Sequence, residues 1–273
     1  FVYAAAVDAG IAPTEKVEDA PLRRELPAGD VWEPRNFDGR FRGPVTVRRS
    51  LRESINTVAV LLAERVGIGR VRSLARRMGI TTPIAESPSI AIGASAVRPM
   101  ELAAAYTAFA NLGDRAEPRW VTRVEDPQGV VLWRPEVRRK EVLDPPTAFV
   151  VTSMLRDVVD RGTGRRARDA GVRGPAAGKT GTTNEATDAW FVGFTPRLST
   201  AVWVGFPGST KISMNGLYHG ANVDGGTFPA QIWGEYMRKA KGKYCGDFKQ
   251  PTEPFQSQPF FGHYSRSGGR DDD

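Results

Sequence analysis

The sequence predicts an α+β fold, in which a helical part and an antiparallel sheet lie around one cleft. Apolar residues recur at helical spacing through most of the first half. Two runs rich in β-branched and aromatic residues follow, 190–195 and 198–206, and the short Pro196-Arg197 link predicts that they are adjacent antiparallel strands. Residues 228–240 have the pattern of a closing helix. Helices, then strands, then one helix is an order typical of α+β proteins.

The first 46 residues predict one short helix and then an irregular segment. Residues 1–9 are apolar and rich in alanine, which favours a helix, and Gly10 is a typical stop. Prolines and glycines recur throughout residues 11–46, so long helices are excluded there. Lys16-Val17-Glu18 is the candidate for a short strand.

Three further helices are predicted between residues 46 and 113, each with apolar residues at helical spacing and a breaker at its end. They cover 47–66, 71–78 and 100–111. Thr46 is the candidate N-cap of the first helix, and Gly67 and Gly69 end it. Residues 83–93 are predicted to form a loop.

A hairpin and a long helix are predicted between the first helices and the sheet. Residues 119–125 and 130–133 flank the turn Asp126-Pro127-Gln128-Gly129, which indicates a hairpin. Pro145-Pro146 begins a helix that continues through Val159. The Gly- and Arg-rich segment 161–174 predicts a turn or a short helix.

Composition indicates a globular protein with a basic surface. The chain has 273 residues, 40% of them hydrophobic, and a formal net charge of +7. Its basic residues are scattered and carry no nucleic-acid signature, so we expect a solvated surface and no nucleic-acid partner. His219 and His263 are too few and too separated for a metal site, and no cofactor is expected. Cys245 is the single cysteine, so no internal disulfide can form.

The ends of the chain carry separate expectations. No apolar run is long enough to span a bilayer, and no signal peptide is present. The chain begins without Met and within an apparent helix, so we expect a fragment whose membrane anchor would lie upstream. From residue 242 the composition shifts to Lys, Pro, Gln, Ser and Gly. This predicts one domain over 1–241 and a mostly disordered tail over 242–273.

The segment Gly178-Lys179-Thr180-Gly181-Thr182-Thr183, which leads into the run 190–195 and suggests a strand whose edge faces a ligand, carries the strongest chemical signal. A lysine can hold an anion, threonine hydroxyls can add hydrogen bonds, and a glycine lets a ligand approach the backbone. Lys-Thr-Gly is a signature of penicillin-binding proteins and serine β-lactamases, beside Ser-x-x-Lys and Ser-Asp-Asn. The alternative for a bare Lys-Thr-Gly is a surface turn with a solvated lysine.

A second polar group should face this segment from the helical part. Ser54-Ile55-Asn56 is the candidate, because it lies at a seam between helical segments in an otherwise apolar region. From spacing alone, Ser54 as a helix cap and Asn56 as a buried amide are equally good interpretations. Ser213-Met214-Asn215 is a rival, although its glycine-rich surroundings favour a turn.

Four runs resemble the transpeptidase domain of class A penicillin-binding proteins, in the family's order over about residues 1–240. They are 1–10 (FVYAAAVDAG), 98–106 (RPMELAAAY), 178–183 with 188–196 (GKTGTT and DAWFVGFTP), and 225–233 (GGTFPAQIW). The resemblance implies the penicillin-recognising serine transpeptidase/β-lactamase-like fold. It implies a D,D-transpeptidase that cross-links peptidoglycan stem peptides ending in D-Ala-D-Ala and is acylated by β-lactam antibiotics. An upstream glycosyltransferase domain and an anchor on the extracytoplasmic side of the bacterial inner membrane are also implied.

The resemblance assigns roles to individual residues. It places Ser54 and Lys179 in a proton-relay network and gives Asn56 the substrate amide. Thr180 and Thr182 would bind the substrate carboxylate, with the N–H of Thr182 in the oxyanion hole. The substrate-binding set as a whole is Thr180, Gly181, Thr182 and Thr183. Ile55 replaces the Asp of Ser-Asp-Asn at a permissive position.

The family's Ser-x-x-Lys occurs nowhere in this chain. In the family this motif stands directly before the helix that Phe1 continues, and one helical turn brings its Ser beside its Lys. We therefore predict that this polypeptide alone cannot be acylated. Two alternatives stay open: a β-lactamase or D,D-carboxypeptidase, and a non-catalytic β-lactam-sensing or scaffold module.

Overall fold

The structure, a computed structural model, describes residues 1–25, 29–209 and 211–258. The helices in this part of the chain are α1 (Val2–Asp8), α2 (Val47–Glu53), α3 (Asn56–Val66), α4 (Ile68–Arg77), α5 (Pro99–Ala110), α6 (Pro145–Arg161), α7 (Arg166–Asp169) and α8 (Phe228–Ala240). The strands are β1 (Lys16–Asp19), β2 (Arg24–Glu25), β3 (Val31–Trp32), β4 (Gly43–Thr46), β5 (Asp114–Ala116), β6 (Val124–Glu125), β7 (Val131–Trp133), β8 (Arg139–Glu141), β9 (Ala177–Thr182), β10 (Asp188–Phe194) and β11 (Ser199–Gly205).

The helical half is built around α1, which is buried along its whole apolar length. Its small side chains let α3 and α6 approach closely, and both helices pack against it. The long helix α6 begins where Asp144 accepts a hydrogen bond from the N–H of Thr147 at 3.0 Å. Pro145 occupies the first helical position, where no N–H is needed. These contacts fix the helices that carry one wall of the site.

The sheet half is a three-stranded antiparallel sheet in the order β11-β10-β9. Phe191 of β10 is fully buried and packs on Trp233 of α8 with ring centroids 5.1 Å apart. This contact fastens the closing helix to the sheet. Within the described residues β9 pairs only with β10, so β9 forms an edge of the sheet.

Most predicted elements are present, although the first hairpin strand covers only 124–125 of the predicted 119–125. The helical region predicted over 47–66 divides at its predicted seam, 54–56, because the backbone at Ser54 is left-handed. Two differences have local causes. Gly69 lies inside the first turn of α4 and does not interrupt it. The pair β5–β8, which encloses the confirmed hairpin β6–β7, is only three residues long in each strand and has no alternating pattern to reveal it.

Residues 242–258 contain no helix or strand, yet they lie against the domain. Phe248 is buried against Phe194 with ring centroids 5.5 Å apart. The N–H of Gln258 donates to Gly10 O at 3.0 Å. This part of the tail therefore differs from the disorder that its composition predicts. Its few aromatic side chains bury apolar area, and an average over the composition does not reveal them. The remaining tail, 259–273, lies outside the described residues.

Two absences hold for residues 1–25, 29–209 and 211–258. None of the helices found there combines the length and the apolar character needed to cross a membrane. Over the same ranges, no group of His, Cys, Asp and Glu side chains is arranged to hold a metal ion.

Candidate active site

Ser54 is held in a strained position at the end of α2. Its backbone has φ 56° and ψ 48°, in the left-handed region that residues other than glycine rarely adopt. The N–H of Ile55 donates to Ser50 O at 2.9 Å, which closes the helix and allows α3 to start immediately. Such strain is commonly stored at functional sites. The turn directs the Ser54 hydroxyl to the sheet half.

Lys179 of β9 meets that hydroxyl. Its Nζ donates to Ser54 Oγ at 2.7 Å, to Thr180 O at 2.9 Å and to Thr180 Oγ1 at 3.2 Å. An ammonium group has three hydrogens, and these three acceptors match them. Burial lowers the pKa of Lys179 to about 8, because the charged form loses hydration. A lysine that is still mostly charged at neutral pH but close to releasing its proton suits a proton relay.

The edge of β9 presents backbone groups to the same space. The N–H of Thr183 donates to Asp188 O of β10 at 3.0 Å. In an antiparallel pair, the N–H groups of successive residues point alternately to the partner strand and away from it. The N–H groups of Thr180 and Thr182 therefore point to the opposite, unpaired edge. Thr182 Oγ1 accepts a hydrogen bond from the N–H of Gly225 at 3.0 Å, which leaves its own proton free to donate. Thr182 can therefore offer both its backbone N–H and its hydroxyl as hydrogen-bond donors.

A glycine is needed at position 225, which packs beside Gly181, more than at position 181 itself. A Cβ at Gly225 would meet Trp190 O and would lie 2.7 Å from Gly181 N. A Cβ at Gly181 would meet only Trp190 Cβ, at 3.4 Å. The segment before α8 is thus pressed against the backbone of β9 and β10, a contact that the Lys-Thr-Gly pattern does not reveal.

Asn56 is tied to the irregular segment that precedes α2. Its side-chain Nδ2 donates to Arg35 O at 2.8 Å, and its backbone N–H donates to Asn36 Oδ1 at 2.9 Å. Asn36 is itself buried and donates to Asp19 Oδ1 at 2.7 Å. The same oxygen of Asp19 accepts a hydrogen bond of 2.6 Å from the hydroxyl of Thr57. Asn36 therefore caps α3 from outside the helix, a role that sequence reasoning missed.

Two of the threonine and serine candidates lie in turns. Thr183 Oγ1 is 2.8 Å from Thr187 Oγ1 and accepts from the N–H of Asp188 at 2.8 Å, so Thr183 fixes the link between β9 and β10. Ser213 Oγ donates to Glu185 O at 2.6 Å and accepts from the N–H of Asn215 at 3.2 Å. The rival Ser-x-Asn thus forms a turn against the 184–186 segment, and neither of these two hydrogen bonds involves Lys179.

A further hydroxyl, that of Thr163, lies at the site. Its Oγ1 is 2.8 Å from Thr180 Oγ1, and its backbone N–H donates to Arg52 O at 3.3 Å. It belongs to the Gly162-Thr163-Gly164 turn after α6. The glycines on both sides were the only sequence signal that could have marked this threonine.

The start of α1 also lies at the site. Burial, together with the positive charge of Lys179, lowers the pKa of the Phe1 amine to about 6. The two charges interact, so the start of the helix lies in the same region as the lysine. A residue placed just before Phe1 in a longer polypeptide would enter this region.

The chain is similar in sequence to proteins of one known family. The family described as "Penicillin binding protein transpeptidase domain" matches residues 1–216. Penicillin-binding protein 1A of Neisseria meningitidis is 37% identical over 260 residues, which are 92% of this chain and 32% of that protein. The protein of the same name from Aquifex aeolicus is 39% identical over 226 residues, 82% of this chain and 30% of that protein. The chain thus spans about a third of the length of these relatives.

Solved structures show the same similarity. Penicillin-binding protein 1A from Haemophilus influenzae superposes with a TM-score of 0.83 at 26% identity, over 92% of this chain and 42% of that one. The penicillin-binding protein PonA1 from Mycobacterium tuberculosis gives a TM-score of 0.80 at 26% identity, over 94% of this chain and 72% of that one. With the family match over residues 1–216, this agreement in sequence and fold shows that the chain belongs to the penicillin-binding protein transpeptidase family.

Proposed function

We propose that the chain forms the D,D-transpeptidase domain of a bifunctional class A penicillin-binding protein. Its substrates would be peptidoglycan stem peptides ending in D-Ala-D-Ala, and β-lactams would acylate it. The single observation that carries this proposal is the 2.7 Å hydrogen bond from Lys179 Nζ to Ser54 Oγ. It brings the Lys-Thr-Gly strand and the Ser-x-Asn turn together.

The described residues would supply the relay and the electrostatics of the reaction. Lys179 holds the Ser54 hydroxyl and can pass a proton through it to or from a reacting group. The N–H of Thr182, on the open edge of β9, would donate to the oxygen that becomes negative in a tetrahedral intermediate. Asn56, fixed by Arg35 O and Asn36, lies two residues from Ser54 and would orient the substrate amide.

The nucleophile would come from residues before Phe1 in a longer polypeptide. In the family the Ser-x-x-Lys motif stands directly before this helix, and the electrostatic interaction of the Phe1 amine with Lys179 supports a position of that motif next to the site. PonA1 is among the similar proteins, and one structure of it is described as a complex with penicillin V. We further propose that a glycosyltransferase domain and a membrane anchor precede this domain, which would act on the extracytoplasmic side of the bacterial inner membrane.

Intact-mass measurement after incubation with benzylpenicillin tests the proposal. The chain of 273 residues is compared with a polypeptide extended upstream through the Ser-x-x-Lys motif, and with the extended form carrying Lys179→Met. We expect a stable adduct on the extended form, much slower acylation of the Lys179→Met variant, and none on the short chain.

Each other outcome has a defined meaning. An adduct on the short chain would show that its nucleophile lies within residues 1–273. No adduct on either form would overturn the enzyme proposal in favour of a non-catalytic module. An adduct that is rapidly hydrolysed would favour a β-lactamase or D,D-carboxypeptidase.

A further inference from the structure

The turn Gly162-Thr163-Gly164 is held between both halves of the site. A Cβ at Gly162 would lie 2.5 Å from Arg52 O of α2, and a Cβ at Gly164 would lie 2.8 Å from the ring of Phe191 in β10. A Cβ at Gly226, just before α8, would lie 2.6 Å from Thr163 O. Three elements therefore press on the backbone of this turn, and larger residues at these glycines would displace it.

Thr163 itself is exposed, although its turn is tightly held. Its backbone N–H bonds to Arg52 O, two residues before Ser54, while its hydroxyl lies 2.8 Å from Thr180 Oγ1 on β9. A side chain that touches both walls and still faces solvent can contact a ligand that occupies the space between them.

The direction of the hydrogen bonds can be worked out from the donors. Lys179 has only protons to give, so Thr180 Oγ1 accepts from it at 3.2 Å. Thr180 can then donate its own proton to Thr163 Oγ1, the hydroxyl oxygen 2.8 Å away. In that order the chain runs from Lys179 through Thr180 to Thr163, and the proton of Thr163 is the one left to face the ligand.

We infer that Thr163 is a ligand-binding residue whose hydroxyl donates to the carboxylate of the incoming peptide or β-lactam. This inference rests on the proposed function, which supplies a ligand with a carboxylate. The resemblance assigns this contact to Thr180 and Thr182. Here the Thr180 hydroxyl accepts from Lys179 and donates to Thr163, so of these three threonines Thr163 and Thr182 have a proton left to offer. A polarised hydroxyl at the end of a chain that starts at a cation is a suitable partner for an anion.

The test compares a penicillin with its methyl ester, which lacks the negative charge. Acylation rate constants are measured on the extended polypeptide for the wild type, Thr163→Val and Thr163→Ser. Valine keeps the shape of threonine without its hydroxyl, and serine keeps the hydroxyl. We expect Thr163→Val to lose about tenfold or more of the preference for the free acid over the ester, since a hydrogen bond to a charged group is lost. Thr163→Ser should retain the preference.

The outcomes separate this inference from the proposed function. If Thr163→Val slows the acid and the ester equally, or slows neither, Thr163 does not bind the carboxylate and the inference is overturned. If the wild type reacts with neither compound, the proposed function has failed first. Melting temperatures check that the variants fold, and Thr163→Ala replaces Thr163→Val if the valine variant does not.

Discussion

Lys179 and Ser54 lie 125 positions apart in the chain, and a 2.7 Å hydrogen bond from Lys179 Nζ to Ser54 Oγ joins them. The lysine belongs to the edge strand of the sheet, and the serine ends a helix of the other half. Because the two halves meet through these side chains, the site depends on how accurately each half holds its own residue. The following predictions test that dependence.

Replacing Ser54 should separate chemistry from backbone strain. Ser54→Gly and Ser54→Ala both remove the hydroxyl that Lys179 contacts, so both should lower acylation of the extended polypeptide by roughly 10²–10⁴-fold. Glycine adopts a left-handed backbone without the steric cost that alanine incurs, about 1–2 kcal/mol. Urea unfolding should therefore find Ser54→Gly more stable than Ser54→Ala. Equal stabilities would mean that the turn relaxes when the hydroxyl is absent.

Lys179 should make stability depend on pH in the alkaline range. Its pKa is lowered by burial to about 8, from an ordinary 10.5. Between these values the unfolded chain binds a proton that the folded chain has released, so the free energy of unfolding increases with pH. Below about pH 8 both states are protonated, and the cost of burying the charge is present in full. The Phe1 amine, with a pKa of about 6, is already neutral throughout the window.

Unfolding of the wild type and of Lys179→Met should be compared at several pH values from 7 to 10.5. The wild type should gain stability relative to the variant as pH increases through this range. The difference cancels the effects of other groups that titrate at alkaline pH. A difference that does not change with pH would show that the pKa of Lys179 is ordinary in the folded protein.

Asn36→Ala should damage both stability and acylation, although Asn36 touches neither Ser54 nor Lys179. The change leaves the N–H of Asn56 without its cap and removes a donor from the buried carboxylate of Asp19. We expect a loss of about 2–3 kcal/mol in the free energy of unfolding. The acylation rate of the extended polypeptide should also fall, because Asn56 and the Ser54 turn are both anchored at this end of α3.

The matched control is Ser213→Ala, in the rival Ser-x-Asn turn. Ser213 is exposed, so the change should cost less than about 1 kcal/mol and leave the acylation rate unchanged. If Ser213→Ala abolished acylation while Asn36→Ala had no effect, the assignment of Ser54-Ile55-Asn56 to the site would be wrong.

Phe248→Ala tests whether the described part of the tail stabilises the domain. The ring is buried against Phe194, and its removal should cost about 3 kcal/mol. Tyr244→Ala is the comparison, since Tyr244 is exposed and its ring contacts only the guanidinium of Arg197 among the ring contacts found in the described residues. Thermal unfolding that is equally insensitive to both changes would support a detached tail.

The sequence could indicate the parts of the site that lie on short, regular motifs. Ser54-Ile55-Asn56 stood out as a polar group at a helical seam, and Lys179-Thr180-Gly181 stood out before a strand; the structure joins them. The left-handed backbone that separates α2 from α3 at Ser54 was not visible, since apolar spacing continues from α2 into α3 and periodicity does not report a single left-handed residue.

The supporting residues could not be predicted in the same way. Asn36 acts on a helix that begins twenty residues later, from a segment in which prolines and glycines hide any pattern. Thr163 depends on a tertiary contact with β9, and its neighbours resemble an ordinary turn. In both cases the decisive partner is distant in the chain, so local propensity carries no information about it.

The unpaired edge of β9 also has a consequence for the protein in concentrated solution. A strand with free N–H and C=O groups is a template for pairing with the edge of another molecule, which leads to aggregation. Lys179, in the middle of this six-residue strand, instead holds the helical half against it through the 2.7 Å hydrogen bond to Ser54 Oγ. The contact that builds the site should therefore also shield part of this edge from a second copy, and its removal should make the protein more prone to self-association.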